Sequence, residues 1–132
     1  DLVRSRGLGD VYKRQYLYEE MVDALVAADL AIARAGAAIM GEFTAAALPS
    51  ILVPYPYAGQ HQEANADFMV GHGAALKVLD SALAEGVLVH MVERLLADEN
   101  TLGSMARRAS ELARPNAARA IAQQLALLSG GA

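Results

Sequence analysis

The sequence lacks the residues on which several classes of site depend. It contains no cysteine and no tryptophan. Without cysteine the chain can form no disulfide, use no thiolate nucleophile and bind no zinc through sulfur, a composition that suits a reducing cytoplasm. A G-x-S-x-G nucleophile motif is also missing. The long uncharged stretch 45–62 contains three prolines, which would interrupt a continuous membrane-spanning helix.

Charge is sparse and evenly distributed. The net charge is −4, charged residues make up 20% of the chain, and basic residues are not clustered. We therefore expect no nucleic-acid partner. The three histidines are widely spaced without an accompanying carboxylate cluster, so we expect neither a metal nor a cofactor. An apolar fraction of 55% over 132 residues is sufficient for the hydrophobic core of one domain.

Short apolar runs alternate with helical segments in the first two thirds of the chain. This order predicts an α/β fold, a partial Rossmann-like parallel sheet followed by C-terminal helices. The predicted strands are 30–34, 50–55 and 75–79. The predicted helices are 18–28, 37–47, 60–72, 84–97, 101–113 and 115–128.

The beginning of the sequence does not fit this pattern. The chain starts without methionine, and residues 1–15 contain no apolar strand. We expect residues 1–15 to be foreign to the domain or disordered, and residues 16–132 to form part of a domain.

A first candidate site is the strand-to-helix junction Arg34-Ala35-Gly36-Ala37-Ala38. Small residues allow a ligand close to the backbone, and the free N–H groups and dipole of a helix start favour an anion such as a diphosphate. The alternative is a tight turn at Gly36 with Arg34 in solvent.

Two further groups of polar residues follow. Glu42 comes six residues after Gly36, and its carboxylate could return to the same junction to hold a ribose diol; it could equally be a surface acid near a helix start. His61, Gln62 and Asn65 begin the helix after the second strand. Amide side chains at i and i+3 share a face and suit sugar hydroxyls, or they cap their own helix.

Taken in order, these segments resemble the C-terminal domain of the MurG family of glycosyltransferases. The similarity starts at about residue 16, and it is carried by residues 28–37, Glu42, residues 48–54 and residues 61–66. The family transfers N-acetylglucosamine from UDP to an undecaprenyl-linked muramoyl-pentapeptide, which converts lipid I to lipid II. The resemblance implies the C-terminal half of a GT-B fold, UDP-N-acetylglucosamine as donor, and no metal.

The resemblance also implies roles for individual residues. Tyr18 would line the uracil, and Glu42 would hold the ribose hydroxyls. The helix start would bind the diphosphate through Gly36, Ala37, Ala38 and Ile39. The N-acetylglucosamine would face His61, Gln62 and Asn65.

The sequence departs from the family at three points. Ala38 and Ile39 stand where the family commonly has hydroxyl-bearing residues, which puts the identity of the donor in doubt. The Gly-rich loop of the family has no counterpart in residues 1–15. The N-terminal domain, which carries the acceptor site and the general base, is absent, so we expect no catalytic residue in this chain and no activity by the chain alone.

The implied partners are a UDP-sugar, the missing N-terminal domain and, through it, the lipid-linked acceptor. The implied location is the cytoplasm, at the inner face of the bacterial plasma membrane. Two alternatives stay open: the donor module of another UDP-sugar GT-B transferase, and a nucleotide-binding subunit of a split glycosyltransferase.

Overall fold

The structure, a computed structural model, describes residues 21–57 and 61–113. The predicted helix 115–128, the segment 1–15 and Tyr18 lie outside these residues. The described helices are α1 (Met21–Ala27), α2 (Ala37–Ala45), α3 (His61–Gly71), a 3-10 helix (Asp80–Glu85), α4 (Val87–Leu96) and α5 (Glu99–Leu112). The described strands are β1 (Ala31–Ala33), β2 (Ser50–Leu52) and β3 (Ala75–Lys77).

The strands form a parallel sheet in the order β1-β2-β3. Ser50 of β2 pairs with Ala31 on one side and with Ala75 on the other. All three residues of the central strand are buried, as expected for a parallel sheet covered on both faces. The predicted α/β architecture with a parallel sheet is confirmed.

Successive residues of β2 belong to different parts of the core because side chains alternate across a strand. Leu52 packs in a cluster with Phe43 of α2 and Met69 of α3. Ile51 packs in a second cluster with Leu95 of α4. The sheet therefore separates two apolar layers, with α2 and α3 contributing to one and α4 to the other.

The strands are shorter than predicted at their carboxyl ends. The second strand ends at Leu52, although Val53 still donates a backbone hydrogen bond to Ala33 O at 2.9 Å. Pro54 follows, and proline has no N–H with which to extend the ladder. The strand therefore ends here, and the chain continues as a loop at the edge of the sheet.

The helix predicted from residue 84 begins later. A 3-10 helix ends at Glu85, Gly86 adopts the left-handed conformation with φ 74°, and α4 starts at Val87. Glycine adopts this conformation without steric cost, so Gly86 ends one helix and allows the next to start in a new direction. The composition of residues 80–86 alone did not predict this break.

None of the helices in the described ranges combines the length and the apolarity needed to cross a bilayer.

Truncation of the buried Met69 should destabilise the chain strongly. Met69 is fully buried between α3 and the sheet, so Met69→Ala should lower the free energy of unfolding by about 2–5 kcal/mol. Val89→Ala, at a side chain that is 59% exposed, should change it by less than about 0.5 kcal/mol. Urea denaturation of the three proteins tests this, and equal losses would contradict the assigned core.

Removal of the Asp98 carboxylate should weaken α5 in a pH-dependent way. Asp98 accepts hydrogen bonds from the Thr101 hydroxyl at 2.6 Å and from Thr101 N at 3.1 Å. These bonds favour the charged form and lower the pKa of Asp98 from its ordinary value. The stabilisation is therefore complete above the ordinary pKa and is lost as the pH falls through the lowered one.

We expect Asp98→Ala to lower the melting temperature at pH 7, and the difference from wild type to shrink in acid. Asp98→Asn is the control, because it keeps a capping oxygen but cannot titrate. Thermal unfolding followed by circular dichroism between pH 7 and pH 2 gives both curves. A difference between Asp98→Ala and wild type that does not change with pH would contradict the role of the carboxylate.

Candidate functional site

The three strands end at the same edge of the sheet. β1 ends at Ala33, β2 at Leu52 and β3 at Lys77, and these residues are register partners. Parallel α/β sheets bind ligands in the crevice beyond this edge, because the loops that follow the strands converge there. The site is therefore built from the segments that leave these three strand ends.

Arg34 connects all three segments. Its guanidinium Nη1 lies 2.6 Å from Asp80 Oδ1 and 3.3 Å from Val53 O, and its Cζ lies 5.4 Å from the ring centroid of Tyr55. The side chain of Arg34 remains 45% exposed. Arg34 thus braces the edge of the sheet through an ion pair with Asp80 while part of its side chain stays exposed, a combination that the sequence pattern did not predict.

Gln62 and Asn65 hold the junction between β1 and α2. Gln62 Oε1 accepts hydrogen bonds from Ala35 N at 3.2 Å and from Tyr55 N at 2.8 Å. Asn65 Nδ2 donates to Ala35 O at 2.9 Å. The shared face predicted for these two amides is confirmed, and it is turned towards the backbone of the junction. His61 is exposed at the first position of α3.

The start of α2 is open to a ligand. Gly36 precedes the helix with φ −72° and ψ 158°, and no side chain caps the helix. A Cβ built on Gly36 would meet nothing within 4 Å, so neither the backbone conformation nor neighbouring atoms require glycine here. Ala37 and Ala38 are exposed, and the first N–H groups of a helix have no acceptor within it. The junction offers a positively polarised surface without side-chain obstruction.

Ile39 and Glu42 of α2 differ in their surroundings. Ile39 is half-buried against the core cluster of α2 and α3. Glu42 is exposed and lines a small cleft of about 210 Å³ with Val22 and Val26 of α1. Glu42 therefore lies in a partly apolar cleft beside α1. Arg34 and the side-chain amides of α3 lie at the strand ends instead.

A larger cavity of about 670 Å³ opens beside the strand ends. One wall carries Tyr55 and Tyr57, whose rings meet edge to face with centroids 5.6 Å apart. The sequence pattern placed Tyr55 at the end of the predicted strand 50–55 and did not single out these aromatic rings. The cavity is lined by Pro54, Tyr55, Pro56, Tyr57, Glu63, Ala64, Asp67, Leu79, Asp80 and Ser81.

Asp80, the partner of Arg34, was not among the site residues predicted from the sequence. It lies three residues after the end of β3, and acidic residues directly after a parallel strand are placed at the binding edge. Its position shortly after a predicted strand could therefore have identified Asp80 as a candidate site residue. Among the described residues, His, Asp and Glu side chains form no group of three that could hold a metal ion.

Comparison with known proteins gives a consistent result. Residues 4–125 match the glycosyltransferase family 28 C-terminal domain. The UDP-N-acetylglucosamine--N-acetylmuramyl-(pentapeptide) pyrophosphoryl-undecaprenol N-acetylglucosamine transferase of Roseiflexus sp. is 50% identical over 106 residues, which cover 77% of this chain and 24% of that protein. The enzyme of the same name from Moorella thermoacetica is 44% identical over 127 residues, 92% of this chain and 34% of that protein.

The fold comparison agrees. The crystal structure of Acinetobacter baumannii MurG matches with a TM-score of 0.73 at 35% identity, over 82% of this chain and 31% of that one. The chain thus spans about a quarter to a third of the length of these proteins. Since the family match covers nearly the whole sequence, the chain belongs to the glycosyltransferase family 28 C-terminal domain family.

Proposed function

We propose that this chain is the donor-binding part of an N-acetylglucosaminyltransferase that acts in peptidoglycan synthesis, and that it binds UDP-N-acetylglucosamine at the carboxyl edge of its sheet. The observation that carries the proposal is the open start of α2. The uncapped helix terminus begins at Gly36, two residues after Arg34, with Ala37 and Ala38 exposed and open space beside the glycine. These features favour an anion such as a diphosphate.

The diphosphate would lie on Gly36 and the first residues of α2, within the positive field of the helix dipole and of Arg34. Glu42 would accept hydrogen bonds from the ribose hydroxyls in its cleft beside α1, a position that also brings apolar side chains near the nucleoside. Tyr18 would line the uracil. His61, Gln62 and Asn65 would lie on the sugar side, next to the larger cavity.

In the transfer step the bond between the anomeric carbon and the diphosphate oxygen breaks. The acceptor hydroxyl bonds to the anomeric carbon, and its proton passes to a base outside this chain. Negative charge then accumulates on the departing UDP, where fixed N–H donors and the helix dipole stabilise it. The proposal assigns this role to α2 and Arg34 and includes no metal.

The acceptor would be the lipid-linked muramoyl-pentapeptide, held by a further domain at the inner face of the bacterial plasma membrane. The chain matches only part of its relatives, so the complete reaction requires residues beyond those it contains. We therefore propose binding by this chain and catalysis by the complete enzyme.

A donor module for another UDP-sugar is the second candidate. Ile39 stands where the resemblance leads us to expect a hydroxyl, and it packs into the core. A hydroxyl contact to phosphate or sugar is therefore unavailable at this position. Competition between UDP-N-acetylglucosamine and UDP-glucose separates the two candidates, since preference for the first supports the leading proposal.

Removal of the Glu42 carboxylate should weaken nucleotide binding. Calorimetric titration should show saturable binding of UDP and tighter binding of UDP-N-acetylglucosamine than of UDP-glucose. Glu42→Ala should raise the Kd for UDP by about tenfold or more, as expected for loss of charged hydrogen bonds. Glu93→Ala, at an exposed acid of α4, is the control and should bind like wild type. An unchanged Kd for Glu42→Ala would refute the ribose assignment.

Addition of a single methyl group at Gly36 should separate binding from folding. Gly36→Ala fits the observed backbone and the open space, so its melting temperature should match that of wild type. The methyl group would occupy the surface on which the diphosphate lies, and UDP affinity should fall by about tenfold.

Gly41→Ala provides a matched control in the same helix. Gly41 is exposed, and a Cβ there would also meet nothing within 4 Å. Alanine should raise helix stability by about 0.5–1 kcal/mol at this position and leave UDP binding unchanged. Full UDP affinity in Gly36→Ala would contradict the placement of the diphosphate on this surface.

A further inference from the structure

Gln62 and Asn65 contact both polar groups of a single backbone residue. Ala35 is fully buried, its N–H donates to Gln62 Oε1, and its C=O accepts from Asn65 Nδ2. The two side chains come from α3, which is separated from Ala35 by the whole of α2 and β2 in the chain. The backbone on both sides of Ala35 is therefore held by a distant helix.

Peptide geometry extends this restraint to Gly36. The C=O of Ala35 and the N–H of Gly36 belong to the same peptide unit, which is planar and trans. In a trans unit the C=O and N–H bonds point in opposite directions. Because Asn65 fixes the direction of the C=O, it also fixes the direction of the Gly36 N–H, which points away from Asn65. This N–H is the first donor at the open start of α2.

Gln62 restrains a second loop at the same time. Its Oε1 also accepts from Tyr55 N, so one oxygen joins the loop after β1 to the loop after β2. An amide oxygen has two lone pairs, and both are used by these donors. The amide orientation is thereby set, and Nε2 is the group that Gln62 can present to a ligand.

We propose that Gln62 and Asn65 are positioning residues that hold the Ala35–Gly36 backbone in the conformation that binds the donor diphosphate. Gln62 thus acts on the diphosphate through backbone that it holds, whether or not its Nε2 also meets the sugar. The inference rests on the proposed function for the identity of the ligand. The restraint on the backbone can be measured without any ligand.

Amide hydrogen exchange of the unliganded 132-residue chain tests the restraint. In wild type the amides of Ala35 and Tyr55 should be protected. Gln62→Met keeps a side chain of similar length but has no acceptor for these donors, and both amides should exchange about tenfold faster. Gln62→Glu retains a carboxylate acceptor and should restore the protection. Phe68→Met, at a half-exposed position of α3, is the control and should leave both amides unchanged.

Titration with UDP, which carries no sugar, tests the consequence for binding. Gln62→Met and Asn65→Leu should each raise the Kd for UDP by about tenfold, with each variant titrated at a temperature well below its own melting temperature. Residues that only contact the sugar would leave UDP affinity unchanged, and that result would overturn the inference. Equal exchange rates in wild type and Gln62→Met would overturn it as well.

The outcomes also separate this inference from the proposed function. If wild type fails to bind UDP while the exchange pattern is as expected, the proposed function is wrong. In that case Gln62 and Asn65 restrain the backbone but have no role in ligand binding. If wild type binds UDP and Gln62→Met and Asn65→Leu bind it equally well, the proposed function stands and the positioning role is wrong.

Discussion

Parallel pairing of three very short strands is the constraint on which the rest of the structure depends. Each strand has three residues, and parallel neighbours cannot be joined by a tight turn. Every connection must therefore cross back over the sheet, and α2 and α3 are those crossovers. The same constraint brings the carboxyl ends of all three strands to one edge of the sheet, so the loops that follow the strands lie next to one another there.

This edge is held together by polar contacts, whereas the layers behind it are apolar. Arg34 reaches Asp80 and Val53, and Gln62 reaches Ala35 and Tyr55. Loops that leave three separate strands carry unpaired backbone groups, and side chains from neighbouring elements satisfy them here. A rigid edge favours binding, because donors that are already oriented need not be ordered when the ligand arrives.

The glycines illustrate how differently the same residue type is used in one chain. Gly86 has a positive φ and separates two helices, a role that its conformation explains. Gly36 has an ordinary extended conformation with empty space beside it, and nothing within the described residues explains it. Gly41 also has open space beside it, so it is the position of Gly36 at the uncapped start of α2, and not the open space alone, that indicates a ligand.

The sequence alone determined the class of fold, because apolar runs that alternate with helices have few ways to bury both faces of their strands. It also located the junction at Gly36 and the shared face of Gln62 and Asn65, since both follow from local spacing. It could not show what that face contacts, nor that Arg34 pairs with Asp80, 46 residues away. Those contacts join residues that the sheet alone brings together, so only the tertiary structure decided which polar side chains hold the edge.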